Sequence, residues 1–260
     1  MRWDPEEYLR FADERGRPFH DLVARVGATA PSYVVDLGCG PGNLTSGLAE
    51  RWPAAEVDGV DNSEEMIERA RAEHGGGRLR FSLGDVRDWV PARPIDVLTS
   101  NATLQWVPGH LDLLERLVRM VTPGGWLAFQ VPGNFGEPSH TELAAVRSSP
   151  RWRPILEPLD LAQPAAEEPV TYVRRLTELG CRVDAWETTY LQVLAGDDAV
   201  LRWVKGTALR PVLSALDGAQ SEEFLAEYGE RLRAAYPQEA FGTGLPYRRI
   251  FVVAQVGSAA

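Results

Sequence analysis

Val34-Val35-Asp36-Leu37-Gly38-Cys39-Gly40-Pro41-Gly42-Asn43 runs a short apolar strand straight into a glycine turn, and a helical stretch, Leu44 to Arg51, follows. A strand that stops in glycines and restarts as a helix leaves exposed backbone N–H groups and a helix N-terminus beyond the strand end, where a nucleoside or phosphate can be held. Acids stand at the next two strand ends: Asp61 after Ala55–Val60 and Asp85 after Leu79–Gly84. The glycine run alone is a weak signal, because glycine after a strand is often only a tight turn. A dinucleotide fingerprint, G-x-G-x-x-G, also begins this way. Here the order is G-x-G-x-G, with the third glycine one position early, which disfavours a nicotinamide or flavin cofactor.

Working outward, an alternating rhythm sets in on both sides of that run. Upstream, Tyr8, Phe11 and Arg15 share one helix face, and a second helix is expected from Pro18 to Ala28 with Phe19, Leu22, Val23 and Val26 inward. Strands are expected at Tyr33–Leu37, Glu56–Val60, Leu79–Leu83, Ile95–Ser100 and Trp126–Val131. Helices are expected at Asn43–Arg51, from Asn62 to about Glu73, and at His110–Val121. Asn62 and Glu65 have capping-box spacing, and Gly75-Gly76-Gly77 ends that helix. Pro123-Gly124-Gly125 makes the turn into the fifth strand. Beyond Pro132 the pattern changes: a proline-rich stretch with a helix near Thr141–Arg147, a helix at Val170–Leu179 capped by Gly180, a strand at Arg182–Val193, about fifty largely helical residues, and a last strand at Arg249–Val256. Phe224, Tyr228, Leu232 and Tyr236 lie four apart on one of those helices.

Strand–helix–strand repetition predicts an α/β, Rossmann-like, seven-stranded, mostly parallel sheet with the last strand antiparallel, plus a helical cap or lid. Its crossovers should be right-handed. The expected organisation is a single domain over 1–260: an N-terminal helical cap (1–30), a core (31–135), insertions that form the acceptor pocket and lid (136–168 and 196–245), and closing strands (169–195 and 246–260).

Composition bounds the function classes. A chain of 260 residues, 44% hydrophobic and 25% charged, is globular rather than disordered. No apolar run approaches the roughly 20 residues that span a bilayer, and the acidic Met1–Glu7 is no signal peptide. Membrane partners are not expected. A formal charge of −10, with Lys205 the only lysine and no basic run, argues against nucleic acid. Cys39 and Cys181 are the only cysteines, too few for a disulfide framework or a metal quartet, which suits a reducing cytoplasm. No metal is expected. Cys39 reads as a small side chain that fits the loop, not as a nucleophile. Oligomeric state is not legible, and a monomer is compatible with everything above.

With the loop, Asp61-Asn62-Ser63, Gly84-Asp85-Val86 and Pro123-Gly124-Gly125 in hand, residues 34–131 resemble the class I S-adenosylmethionine-dependent methyltransferases. The resemblance implies S-adenosyl-L-methionine as cofactor. It places the glycine loop against the methionine moiety, Asp61 on both ribose hydroxyls, Asp85 on the adenine amino group, and the Val86 N–H beside it. The cofactor-binding set it implies is Asp36, Gly38, Cys39, Gly40, Gly42, Asn43, Asp61, Asn62, Met66, Gly84, Asp85, Val86 and Asn101. Asp36 is expected to orient the loop rather than touch the methyl donor.

Further segments, Trp3-Asp4-Pro5 to Tyr8, Glu14-Arg15-Gly16-Arg17-Pro18, Asn101–Trp106, Pro132-Gly133-Asn134, Glu137–His140, Leu209-Arg210-Pro211 and Leu245–Phe251, resemble the trans-aconitate 2-methyltransferase family over nearly the whole chain. This implies methyl transfer to a carboxylate of a small polycarboxylic acid, giving a monomethyl ester. An acceptor already ionised at neutral pH needs no base, so catalysis would come from desolvation and alignment, with no dedicated catalytic residue. Cations should bind the acid. The expected acceptor-binding set is Tyr8, Arg17, Gln105, Trp106, His140, Tyr190, Trp203, Arg210 and Arg248. Arginines belong on spectator carboxylates, and weaker donors such as Gln105 or His140 near the reacting one. Plainer readings stand beside these. Arg210 could cap the preceding helix, and His140 could be a turn residue. Trp106, Trp203 and Tyr190 could be core. Arg249 stands beside Arg248 as a candidate cation: strand alternation sends only one of the two inward and leaves the other a solvated charge, and the sequence does not fix which, Arg248 being favoured. The rival functions are a methyltransferase for another small molecule and a non-catalytic S-adenosylmethionine-binding protein.

Overall fold

The computed structural model describes residues 12–159, 165–206 and 208–257. In chain order the described elements are α1 (Ala12–Ala24), β1 (Tyr33–Leu37), α2 (Asn43–Arg51), β2 (Glu56–Asp61), α3 (Glu64–Glu73), β3 (Leu79–Leu83), β4 (Ile95–Asn101), a 3-10 turn (Leu104–Trp106), α4 (His110–Met120) and β5 (Val121–Pro132). They continue with α5 (Pro138–Arg147), α6 (Arg153–Leu156), α7 (Pro169–Glu178), β6 (Cys181–Leu194), α8 (Ala199–Lys205), α9 (Arg210–Ala215), α10 (Gly218–Ala235), β7 (Gln238–Glu239) and β8 (Gly242–Val256). The strands lie in the order β3-β2-β1-β4-β5-β8-β6, with the two-residue β7 pairing β8 off that path. β3, β2, β1, β4 and β5 are parallel to their neighbours, whereas β8 runs antiparallel to β5. This is the expected mostly parallel sheet with an antiparallel last strand inserted near one edge.

The chain divides into two compact units. The core unit takes in the residues from Gly16 to Pro132, from Ala165 to Glu187, and from Arg249 on. All five β1 residues are buried, as a strand covered on both faces requires. Its apolar centre includes Val35, Leu37, Leu98, Leu127 and Phe129 from the strands, with Leu114, Leu117, Tyr172 and Leu176 from α4 and α7. The helical unit takes in Gly133–Pro164 and Thr188–Arg248, with the start of α1. Its own core packs Trp152 and Leu156 with Trp203, Val204, Phe224, Tyr228 and Leu232. The four-residue spacing of Phe224, Tyr228 and Leu232 therefore marks the buried stripe of α10, and Tyr236 caps that helix.

Several expected boundaries move. One helix, α1, runs through Pro18 and stops at Ala24, rather than starting at Pro18 and reaching Ala28; Phe19, Leu22, Val23 and Val26 are nonetheless buried. Of the proposed N-terminal stripe, Tyr8 and Phe11 lie outside the described residues. The N-cap of α3 is Ser63, whose side chain accepts from the Met66 N–H, not Asn62. Pro123-Gly124-Gly125 lies within β5, where the β4–β5 register shifts. β8 begins at Gly242, seven residues before Arg249, because its first residues pair with β7 through Gln238↔Thr243 and Glu239↔Gly242. Among the described residues no helix is long and apolar enough to cross a membrane.

Candidate active site

The site is built at the ends of β1, β2, β3 and β4, all within the core unit. Where β1 ends, the chain turns through Gly38, Gly40 and Gly42 at φ of 79°, 55° and 83°, the left-handed region that penalises side chains. At Gly38 a second constraint applies: an added Cβ would lie 1.9 Å from Oγ1 of Thr103. Thr103 thus fills the space a side chain would need. At Gly40 the reverse holds, since an added Cβ would meet nothing within 4 Å. The loop is open there, and its backbone is approachable.

Two buried hydroxyls hold the acid that precedes the loop. Asp36, 2% exposed, accepts from Oγ1 of Thr45 on α2 at 2.7 Å and from Oγ1 of Thr99 on β4 at 3.0 Å. Burial pushes its carboxyl up to about 6 despite those bonds. Through these two bonds Asp36 ties β1 to the helix that follows the loop and to β4. Cys39 is buried in the same loop, and burial raises its thiol well above the usual range, against a nucleophilic role.

Asp61 closes the loop from the next strand. One carboxylate oxygen accepts the Gly40 N–H at 2.9 Å and the other the Ser63 N–H at 2.9 Å. An ionised carboxylate offers about four acceptor positions, so two remain for the two donors of a vicinal diol. At the end of β3, Asp85 holds Arg87 side-on: its Oδ1 accepts from the Arg87 backbone N–H and Nε at 2.9 and 2.8 Å, its Oδ2 from Nη2 at 2.6 Å. Those bonds hold the Asp85 carboxyl below the ordinary carboxylate range. Asn62 is exposed, Met66 half-buried, and Val86 half-buried beside Asp85. The residues fit an adenosyl cofactor: an open glycine loop, then an acid with two acceptor positions to spare, then a second acid one strand further on.

Beyond β4 the chain makes a tight turn at Ala102, φ 53°, an uncommon value for a residue with a side chain. Gln105 folds back on it: Nε2 donates to the Ala102 carbonyl at 2.6 Å, while its buried Oε1 has no partner among the described residues. Trp106 is 45% exposed, so it is not core, and Arg17 is exposed as well.

The remaining acceptor candidates belong to the helical unit, apart from Tyr8, which lies outside the described residues. His140 sits in the first turn of α5, its ring 5.1 Å from that of Phe135, and burial lowers its pKa, so it is neutral at pH 7. Tyr190 and Trp203 are 7% and 3% exposed; Trp203 packs edge-on to Tyr247. Arg210 opens α9 with Pro211 in the first turn, and the preceding helix already ends at Lys205; the Arg210 side chain lies outside the described residues. Arg248 is half-buried, with Nη1 3.5 Å from the Gly133 carbonyl. Arg249, the less favoured of the two for the inward position, is 7% exposed, its Nη1 3.3 Å from the Gln130 amide. Alternation does separate the two arginines, but it is Arg249 that goes into the core unit.

Fold, glycine loop and strand-end acids together define an S-adenosylmethionine-dependent methyltransferase, and a methyltransferase-domain family profile matches residues 34–125. The chain is 53% identical to trans-aconitate 2-methyltransferase of Streptomyces avermitilis, over 97% of this chain and 96% of that one. It is 51% identical to that of Rhodococcus jostii, over 98% and 99%, and 46% identical to that of Mycobacterium marinum, over 99% and 97%. The chain belongs to the trans-aconitate 2-methyltransferase family. Distant solved structures share the fold: Bacillus subtilis YcgJ at 13% identity, TM-score 0.61, over 94% and 99% of the two chains, and Haemonchus contortus phosphoethanolamine N-methyltransferase 2 bound to S-adenosyl-L-methionine at 15% identity, TM-score 0.56, over 93% and 53%.

Thr45, Thr99, Thr103 and Gln130 carried no signal in the sequence as parts of the site, whereas Arg249 stands among the candidate cations.

Proposed function

We propose that this methyltransferase esterifies one carboxylate of trans-aconitate, a small polycarboxylic acid, to give the monomethyl ester without a dedicated general base. What carries the reading is near-full-length identity to relatives of that name, which extends through the helical unit as well as the cofactor loop. When bound, S-adenosylmethionine supplies a methyl group on a sulfonium, which an ionised carboxylate oxygen takes as the S–CH3 bond breaks, with no proton transferred. In this reading Asp61 binds the ribose diol and Asp85 the adenine amino group. The loop residues Gly38–Asn43, with Asn62, Met66, Gly84, Val86 and Asn101, line the cofactor. Arg17, Arg210 and Arg248 hold spectator carboxylates, Gln105 and neutral His140 donate near the reacting one, and Tyr8, Trp106, Tyr190 and Trp203 shape the acceptor site. The arginines offset a net charge of −10 that would otherwise repel a trianion.

The test is transfer of labelled methyl to a panel of di- and tricarboxylic acids, with mass spectrometry of the product. A trans-aconitate monomethyl ester that mild alkali hydrolyses is expected. Transfer only to phenols or amines, or an alkali-stable product, refutes the reading.

A further inference from the structure

The start of α5 is held in a fixed rotation by two tyrosines of α10 that grip one residue. The Ser139 N–H donates to the Tyr236 hydroxyl at 3.0 Å, and the Tyr228 hydroxyl donates to the Ser139 carbonyl. Leu143 and Val146 are buried. Glu142, the only acid within α5, accepts from Arg231 of α10 at 3.0 Å. Residues at i, i+3, i+4 and i+7 share a helix face, so the stripe that begins at His140 runs through Leu143 and Ala144 to Arg147. His140 and Arg147 are half-buried and Ala144 is exposed, so this stripe lies at the edge of the core and is open on one side.

The stripe carries two bases and no acid. Burial alone lowers the pKa of both His140 and Arg147, and no carboxylate offsets it. The Arg147 guanidinium has no hydrogen bond or ion pair among the described residues. Four other arginines of the helical unit, Arg151, Arg153, Arg231 and Arg233, each have a carboxylate, on Glu223, Glu157, Glu142 and Asp198. A desolvated charge without a counter-ion costs free energy. In a chain with 37 acids and a net charge of −10, the missing partner leaves Arg147 to an anion from outside, and its planar fork fits a carboxylate. Long helical side chains lean toward the helix N-terminus, which turns position 147 back along the face toward His140, about 10 Å of rise away. The last turn of a helix also favours a cation for its own sake, and the experiment separates the two roles.

We propose that Arg147 is a carboxylate-binding residue of the acceptor site, holding one spectator carboxylate of the acid on the α5 face that begins at His140. This rests on the acceptor reading above. The test is calorimetric titration of trans-aconitate into protein saturated with S-adenosylhomocysteine, which needs no turnover, together with melting curves. Arg147→Met keeps the apolar stem and removes the charge. It should weaken trans-aconitate about tenfold, the scale of a lost hydrogen bond between charged groups, and leave S-adenosylhomocysteine affinity unchanged. Without the acid it should melt at or above wild type, because an uncompensated cation is gone. Arg147→Lys should recover only part of the affinity, and it carries the test if Arg147→Met does not fold. Among the dicarboxylic acids that each lack one carboxylate of trans-aconitate, one should bind wild type and Arg147→Met alike, since it lacks the group that Arg147 holds. Unchanged trans-aconitate affinity in Arg147→Met overturns the proposal, and with a lowered melting temperature it leaves Arg147 only a helix-end role. Affinity lost equally for every acid also overturns it, because that is the effect of a diffuse field. If wild type itself does not bind trans-aconitate, the acceptor reading has failed and this assignment falls with it. If wild type binds and the Arg147 variants bind equally well, the assignment of Arg147 alone is wrong.

Discussion

Asp61 and Gly40 are joined by a 2.9 Å hydrogen bond from the Gly40 N–H to Oδ2, so the acid at the end of β2 and the glycine loop after β1 are one structural piece. In the proposed reading the same carboxylate binds the ribose hydroxyls. Asp61→Ala should therefore loosen the loop and remove two ligand contacts at once. Hydrogen bonds to a charged group contribute about 1.5–3 kcal/mol, so cofactor affinity should drop roughly ten- to a hundredfold. Calorimetry showing unchanged affinity would mean that Asp61 only braces the loop.

Gly38 makes the second prediction. At φ 79° and with Thr103 Oγ1 where a Cβ would go, Gly38→Ala meets backbone strain and overlap together, about 1–3 kcal/mol from each source. The melting temperature should fall and cofactor binding should weaken. Gly38→Ala with Thr103→Gly relieves only the overlap, so the double variant should recover part of the stability and stay below wild type. Full recovery would show that the left-handed conformation at residue 38 has no cost of its own.

The parts of this site that were legible in the sequence are those held by one segment. The glycine loop and the acids Asp61 and Asp85 each follow their own strand, so local pattern sufficed to find them. Features decided by a distant partner were misplaced. The cap of α3 was misplaced for a local reason instead: Ser63, whose side chain accepts from the Met66 N–H three residues on, takes the place of Asn62. The start of β8 depends on β7, a two-residue strand with no periodicity to read. Arg249 is adjacent to Arg248 in sequence, and alternation separates them without saying which enters the core unit; that depends on Gln130, more than a hundred residues away.

Arg210 supplies a third prediction, on the acceptor side. If it holds a spectator carboxylate, Arg210→Met should raise KM for the acid by roughly tenfold or more, the scale of a lost charged hydrogen bond, with cofactor affinity nearly intact. Arg210→Lys should rescue only partly, because an ammonium cannot make the planar two-point contact. A normal KM with a lowered melting temperature would place the acid elsewhere and leave Arg210 a structural role at the start of α9.

Asp36 predicts an unusual pH dependence of stability. Burial raises its carboxyl from the ordinary 3.8 to about 6 in the fold. Below pH 4 the group is protonated in both folded and unfolded chains and has no effect. Between about 4 and 6 the unfolded chain ionises while the folded one keeps its proton, so the unfolded state binds fewer protons and stability falls as pH rises. Above 6 both are ionised and the full penalty remains, about 3 kcal/mol for a shift of this size. Asp36→Asn removes the titration, though it also weakens the bonds from Thr45 and Thr99, so the informative quantity is the slope rather than the level. Urea midpoints of wild type and Asp36→Asn should be measured from pH 4 to 7.5. The wild type should lose stability relative to the variant across pH 4–6 and run parallel to it above pH 7. A difference that stays constant throughout would mean that Asp36 ionises in the fold as easily as it does in water.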